Sequence, residues 1–387
     1  MIFRKTIFWL HLITGIISGI IVLIMSVTGV ALTYQKQMTA WADKKIHGTQ
    51  PPADASPLSV EQLVTRLHDA RPDLAQGNLA LFADPAMPAT VTMGRNPPTF
   101  LNPYTGEVVG EGQHGVRAFF TTMTDWHRWL ALSGDSRAKG RAVTGAGNLI
   151  FLFLVISGLY LWWPSRWKRG TFRNIAWFRR GLTGKGRDLN WHRVFGFWLL
   201  VPLILIIISG VIISYPWASQ LLYKMAGSQM AAQSGPPGGP GGPGGQRGGG
   251  PGAGPGGPGN QPAPLQLDGL DKILGNVREQ AGKWRTISFR PPTVADKTIS
   301  FSVDASYGGQ PSRRTTVVVD KATGNIVRQE QFKDADSGQR ARMWMRFVHT
   351  GEYYGFIGQT IAGIASIAGV ILVWTGFALT FRRFFCR

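Results

Sequence analysis

Two apolar runs in this chain start from a histidine and carry the same landmarks in the same register. In Leu189–Tyr215 (LNWHRVFGFWLLVPLILIIISGVIISY), Gly196 follows His192 by four residues, Gly210 by eighteen and Tyr215 by twenty-three. In Leu10–Tyr34 (LHLITGIISGIIVLIMSVTGVALTY), Gly15, Gly29 and Tyr34 stand at the same three distances from His11. Each run is long enough to cross a bilayer, where only a helix satisfies its own backbone. The shared register marks a duplicated unit, and what is duplicated is a histidine at membrane depth.

Four spans of mostly apolar residues meet the length criterion: about Ile7–Tyr34, Val143–Trp163, Trp191–Trp217 and Phe356–Phe381. Arg4 and Lys5 give the first the look of a signal peptide, but its apolar stretch is too long and no small-x-small cleavage site follows, so a retained helix is expected. Pro202 is placed to kink the third span. The formal net charge is +20, from 41 Lys+Arg against 21 Asp+Glu, yet no nucleic-acid partner is expected because the basic residues crowd beside the apolar runs. Arg166, Lys168, Arg169, Arg173, Arg179, Arg180, Lys185 and Arg187 occupy one connection free of acidic residues. That connection and the two ends, with Arg4, Lys5, Arg382, Arg383 and Arg387, should face the cytoplasm. The one cysteine, Cys386, excludes intrachain disulfides and thiolate metal clusters.

The segments between spans repeat as well. Ser56–Ala70 reads as an amphipathic helix with Ser59 near its cap, followed by strands at Leu79–Phe82 and Thr90–Met93 and a turn at Tyr104-Thr105-Gly106. Leu265–Glu279 reads as a helix, followed by strands at Thr286–Phe289 and Thr298–Val303 and a turn at Ala322-Thr323-Gly324. Each module ends in a histidine-bearing helix, Val116–Leu132 with His127 and Gln339–Glu352 with His349. The fold class expected is a multi-pass α-helical membrane protein: four transmembrane helices in two pseudo-symmetric halves, each half with a small α+β module outside.

The divisions follow. Residues 1–34 are membrane helix one, 35–142 the first outer module, 143–163 helix two and 164–190 the basic cytoplasmic loop. Residues 191–217 are helix three and 218–352 the second outer module, whose stretch 235–264 is a flexible Gly/Pro linker. Residues 356–381 are helix four and 382–387 a cytoplasmic tail.

Of seven histidines, four hold equivalent places: His11 and His192 near the cytoplasmic ends of spans one and three, His127 and His349 near the outer ends of spans two and four. A pseudo-two-fold bundle brings equivalent positions together, giving one facing pair near each membrane face. Two imidazoles from different helices in apolar surroundings suit haem iron with two axial ligands best. Gly15, Gly19, Gly29, Gly196 and Gly210 leave room for a flat macrocycle, and Arg128, Arg193 and also Arg346 stand where they offset propionate charge. Zinc or copper held by all four is the competing ligand set, but the pairs are expected farther apart than one coordination sphere. A histidine that only hydrogen-bonds between helices is the plain alternative. His47, His68 and His114 are expected at the surface, and the Met343-Trp344-Met345 stripe in packing. Phe195, Phe197 and Trp374 are candidates for the space between the two pairs. No dinucleotide fingerprint is present, so an external electron source is expected.

The runs LHLITGIISG, TDWHRWL, LNWHRVFGFW and FVHTGEYYGFIGQ, with hairpins ending NPYTGEVVG and VDKATGNIVR, resemble the PepSY-associated transmembrane helix family over nearly the whole chain. Within it, they resemble the di-haem inner-membrane siderophore reductases of the ferrioxamine type. The resemblance implies two haem b groups, the inner held by His11 and His192 and the outer by His127 and His349. It also implies a bacterial inner-membrane location, an unidentified cytoplasmic electron donor, and transfer to a periplasmic ferric siderophore that releases Fe(II) during iron uptake. Two other functions fit the same chain: a membrane-anchored PepSY regulatory or partner-binding protein without redox activity, and a haem reductase for another acceptor.

Overall fold

A computed structural model describes residues 2–49, 56–94, 97–111, 115–164, 168–229 and 264–385. The linker expected at 235–264 lies outside the described residues apart from its last position, as do His114 and Cys386. The helices run α1 (Ile2–Leu32), α2 (Gln35–His47), α3 (Val60–Ala70), α4 (Val116–Trp129), α5 (Arg137–Trp162) and α6 (Arg169–Ala176). They continue as α7 (Gly184–Trp198), α8 (Leu200–Ser214), α9 (Pro216–Met225), α10 (Leu270–Ala281), α11 (Ser337–His349) and α12 (Gly355–Phe384). The strands are β1 (Asn78–Phe82), β2 (Ala89–Thr92), β3 (Thr99–Leu101), β4 (Val108–Glu111), β5 (Thr286–Phe289), β6 (Thr298–Asp304), β7 (Arg314–Asp320) and β8 (Ile326–Gln331). The chain divides into a helical unit (1–35, 119–230, 344–387) and a second unit (36–118, 231–343).

In the helical unit, three helices are long and apolar enough to cross a membrane, and a bent pair raises the number to four if it forms one span. α1 packs on α5 and α12, α12 on α7, and α5 on α8. The bent pair goes further than the kink expected at Pro202. α7 and α8 meet at Leu199 with a bend of 69°. Pro202 explains the break, because it has no N–H for the Trp198 carbonyl one turn earlier and its ring crowds that carbonyl. The connection before α7 is folded back on it: Asn190 accepts from the Arg179 amide (3.0 Å) and donates to the Trp177 carbonyl (3.1 Å), while the Trp198 indole donates to Ala176 (2.7 Å).

The second unit holds one antiparallel sheet rather than two separate modules. Its order is β4-β3-β2-β1-β5-β6-β7-β8, joined where Leu79 to Phe82 of β1 pair with Phe289 to Thr286 of β5. One sheet face and the apolar stripes of α3 and α10 close a core that includes Val64, Leu67, Leu79, Val277, Ile287 and Phe301, none more than 1% exposed. Ser59 caps α3 through a capping box with Gln62. The two helices also cap one another: Asp271 accepts from the Val60 amide (2.6 Å), and Glu61 accepts from the Asp271 amide (3.2 Å). Both expected turns sit on a left-handed glycine, Gly106 at φ +75° and Gly324 at φ +72°. In each, the glycine amide donates to the carbonyl of Asn102 or Asp320, at a positive φ that strains a residue with a side chain and that glycine adopts freely.

Candidate haem-type histidine site

All four histidines fall in the helical unit, and each is held in the same way. His11 Nδ1 lies 2.8 Å from Ser157 Oγ on α5, and His192 Nδ1 lies 2.8 Å from Thr375 Oγ1 on α12. His127 Nδ1 lies 2.9 Å from Thr28 Oγ1 on α1. His349 Nδ1 lies 2.9 Å from the Ile206 carbonyl and 3.1 Å from Ser209 Oγ, both on α8.

Proton bookkeeping fixes the tautomer. A carbonyl only accepts, so His349 Nδ1 carries the hydrogen. The hydroxyl hydrogens of Ser157, Thr375 and Thr28 are spent on the carbonyls of Phe153, Ile371 and Ile24, each 2.7 Å away on the preceding turn. Those oxygens therefore accept from Nδ1–H as well. Every neutral imidazole then keeps its lone pair on Nε2, and among the described residues none of the four Nε2 atoms has a hydrogen-bond partner. An imidazole oriented by Nδ1–H and offering Nε2 is set up as a metal ligand.

The residue after each hydroxyl is a glycine against the same ring. A methyl added to Gly158, Gly376, Gly29 or Gly210 would stand 3.4, 3.9, 3.7 and 3.3 Å from Cε1 of His11, His192, His127 and His349 respectively. The device is a Ser/Thr-Gly pair on the facing helix, in which the first residue orients the imidazole and the second leaves space beside it. Of the five glycines expected to make room for a macrocycle, Gly29 and Gly210 lie against the rings of His127 and His349. A methyl added to Gly15 or Gly196 would stand 3.7 Å from Leu154 or Leu372, and one on Gly19 would run into the Phe377 ring.

The histidines fall into two couples. His127 and His349 have ring centroids 6.2 Å apart. Two imidazoles bound to one metal from opposite sides, each at about 2 Å, have centroids separated by about 6 Å. His11 and His192 lie close enough for their charges to interact. No three of His, Cys, Asp and Glu converge on a bare-metal site among the described residues. A planar group with its own equatorial ligands needs only the two imidazoles.

Cations gather beside the couples. The charges of Arg128, Arg137, Arg141 and Arg346 interact, with Arg128 lying 4.6 Å and Arg137 4.4 Å from the Trp129 ring. Asp125, 3.7 Å from Arg137, is the carboxylate among them. Arg193, next to His192, interacts in the same way with Arg4. Such clusters favour a group that brings anionic oxygens.

The family described as the PepSY-associated TM region matches residues 8–383. The chain belongs to this family. A search of curated proteins gave no match.

Other candidates in this PepSY-associated protein have different surroundings. Phe195 packs on Phe178 and Trp191, and Phe197 on Trp162, Phe172 and Trp198, so both join the aromatic cluster of the α6 connection. Trp374 is 68% exposed. Met345 packs against Val211, Ile212 and Ala218. His68 is exposed, as expected, but His47 is half-buried and stacks on the buried Phe100 ring at 4.2 Å. The sequence reading missed Ser157, Gly158, Thr375, Gly376 and Thr28. A readable signal existed, since each span carries an apolar residue followed by Ser/Thr-Gly in VTG, ISG, ISG and WTG.

Proposed function

We propose that this PepSY-associated protein is a transmembrane di-haem oxidoreductase that passes electrons from the cytoplasmic side to a periplasmic ferric siderophore, which then releases Fe(II). The observation that carries this reading is the fourfold setting of the histidines, with Nδ1–H donated, glycine beside the ring and Nε2 open. A histidine serving only as an interhelical contact has no need of an open nitrogen at four matched places.

Haem, when bound, supplies reversible one-electron chemistry at iron. The chain's own residues bind and orient it: His11 and His192 for an inner group, His127 and His349 for an outer one. Ser157, Thr375, Thr28 and the Ile206 carbonyl hold the ligand rings, which limits reorganisation around the metal. Arg128 and Arg346 outside, and Arg193 inside, neutralise propionates. Arg4, Lys5, Arg382 and Arg383 keep the inner couple on the cytoplasmic side. Hard oxygen chelators bind Fe(II) far less tightly than Fe(III), so one electron suffices to loosen the iron.

The test replaces His127 or His349 with alanine in the purified protein. The expected result is loss of one haem's absorbance, retention of the other, and no reduction of ferric siderophore. Retention of both absorbances refutes the assignment. A colourless wild type favours the regulatory, non-redox alternative, and reduced haems indifferent to ferric siderophore favour another acceptor.

A further inference from the structure

The second unit has a cleft of about 820 Å³ between α2 and the sheet face turned away from the core. Its floor is polar because the strands alternate. Ile287, Phe289, Phe301 and Val303 point into the core, so Thr286, Ser288, Ser302 and Asp304 point into the cleft. Trp41 and Trp284 stand in its walls. The volume is in the range of small-molecule sites.

Charge says what kind of molecule. Lys36, Lys44, Arg285 and Arg314 line the cleft against Asp84 and Asp304, four positive charges against two negative and hence +2. Both carboxylates are occupied internally. Asp84 takes Lys44 at 2.7 Å and the Ala86 amide at 3.1 Å. Asp304 takes Arg314 Nε at 3.1 Å and the amide and hydroxyl of Ser306 at 2.7 and 2.6 Å. Arg285 makes no ion pair among the described residues, and its guanidinium lies 3.9 Å from the centre of the Tyr307 ring. A guanidinium spread on an aromatic face keeps its edge donors for planar anionic oxygens.

We infer that this cleft binds an anionic, oxygen-rich ferric chelate, of carboxylate or catecholate charge type, in preference to a neutral or cationic one. The ligand class rests on the function proposed above, whereas the preference for negative charge rests on the cleft alone. Arg285 supplies the field, Ser302 donates a hydrogen bond to ligand oxygens, and Trp41 and Trp284 cover its apolar parts.

The test is calorimetric titration of the full-length purified protein with redox-inert gallium(III) citrate and, separately, a cationic gallium(III) trihydroxamate. The citrate complex should bind at least about tenfold more tightly, more weakly as salt rises. The variant Arg285→Gln should lose at least about tenfold in affinity for it. Ser302→Asp, which leaves the arginine–tyrosine contact intact, should do the same, with an unchanged thermal transition showing that the unit is folded. Equal binding of both complexes, no saturable binding of the anionic one, or binding untouched by both variants overturns the inference. A second readout separates the two proposals. Gallium binding without reoxidation of dithionite-reduced protein by ferric citrate leaves the cleft standing and removes the ferric-chelate reductase role. Reoxidation that the variants leave unchanged removes the cleft and leaves the redox role standing.

Discussion

Removing one hydroxyl behind each histidine separates a ligand that must be oriented from a mere helix contact. Thr375→Val, Ser157→Ala and Thr28→Val each delete the hydroxyl acceptor of an imidazole Nδ1–H, at 2.8, 2.8 and 2.9 Å, with little change of volume. His349 differs, because the Ile206 carbonyl at 2.9 Å remains when Ser209→Ala removes the hydroxyl at 3.1 Å. Losing the partner of a metal-bound histidine typically costs about 10- to 100-fold in affinity. That is about 1.4 to 2.7 kcal/mol. Haem titration into haem-depleted protein, followed by Soret absorbance, should show such a loss in the first three variants and at most about a threefold loss in Ser209→Ala. The reasoning fails if Ser209→Ala loses as much as Thr375→Val, or if all four bind haem as the wild type does.

Three further outcomes follow from particular contacts. Gly140→Ala would drive a methyl into the Trp129 carbonyl, two residues beyond His127, so haem content should fall to about one per chain with the outer group missing. Asp271→Ala strips the Val60 amide of its partner across α3 and α10 and should destabilise the second unit by about 1 kcal/mol, read from its denaturant midpoint. The Lys44 ammonium hydrogen-bonded to Asp84 holds that carboxyl below its ordinary 3.8. Because the folded value is depressed, the contribution is present above the unfolded value and lost as pH falls through the folded one. Wild type and Lys44→Gln should therefore differ in thermal stability at neutral pH and converge in acid, by a small amount, since both groups are substantially exposed.

Much of the architecture was legible because it is written in local pattern. The apolar runs mark α1, α5 and α12, period-2 alternation marks β5 at its observed limits, and the Asn102 and Asp320 turns need their glycines. What escaped was non-local or patternless. α2, QKQMTAWADKKIH, carries no apolar stripe that announces a helix, yet it supplies Lys36 and Lys44 to the cleft. β8, IVRQEQ, is exposed along nearly its whole length, so no alternation betrays it. The pairing of β1 with β5 joins strands about two hundred residues apart, and no adjacent residue records it. Pro202 announced a kink, but the full break at Leu199 depends on how α7 and α8 pack.

In the site, spacing alone put His11 beside His192 and His127 beside His349. The open Nε2 atoms were not legible, because they depend on hydroxyls of Ser157, Thr375 and Thr28 whose hydrogens are already committed to their own helices. The Ser/Thr-Gly pair in every span was present in the sequence all along, and it gains meaning only when the facing helix is known.

The most direct measurement is the visible spectrum of the purified protein, oxidised and then dithionite-reduced, with haem quantified per chain. Two haems per chain with the sharp reduced bands of bis-histidine iron are expected, and preparations that are colourless and take up no added haem would contradict the account at its root.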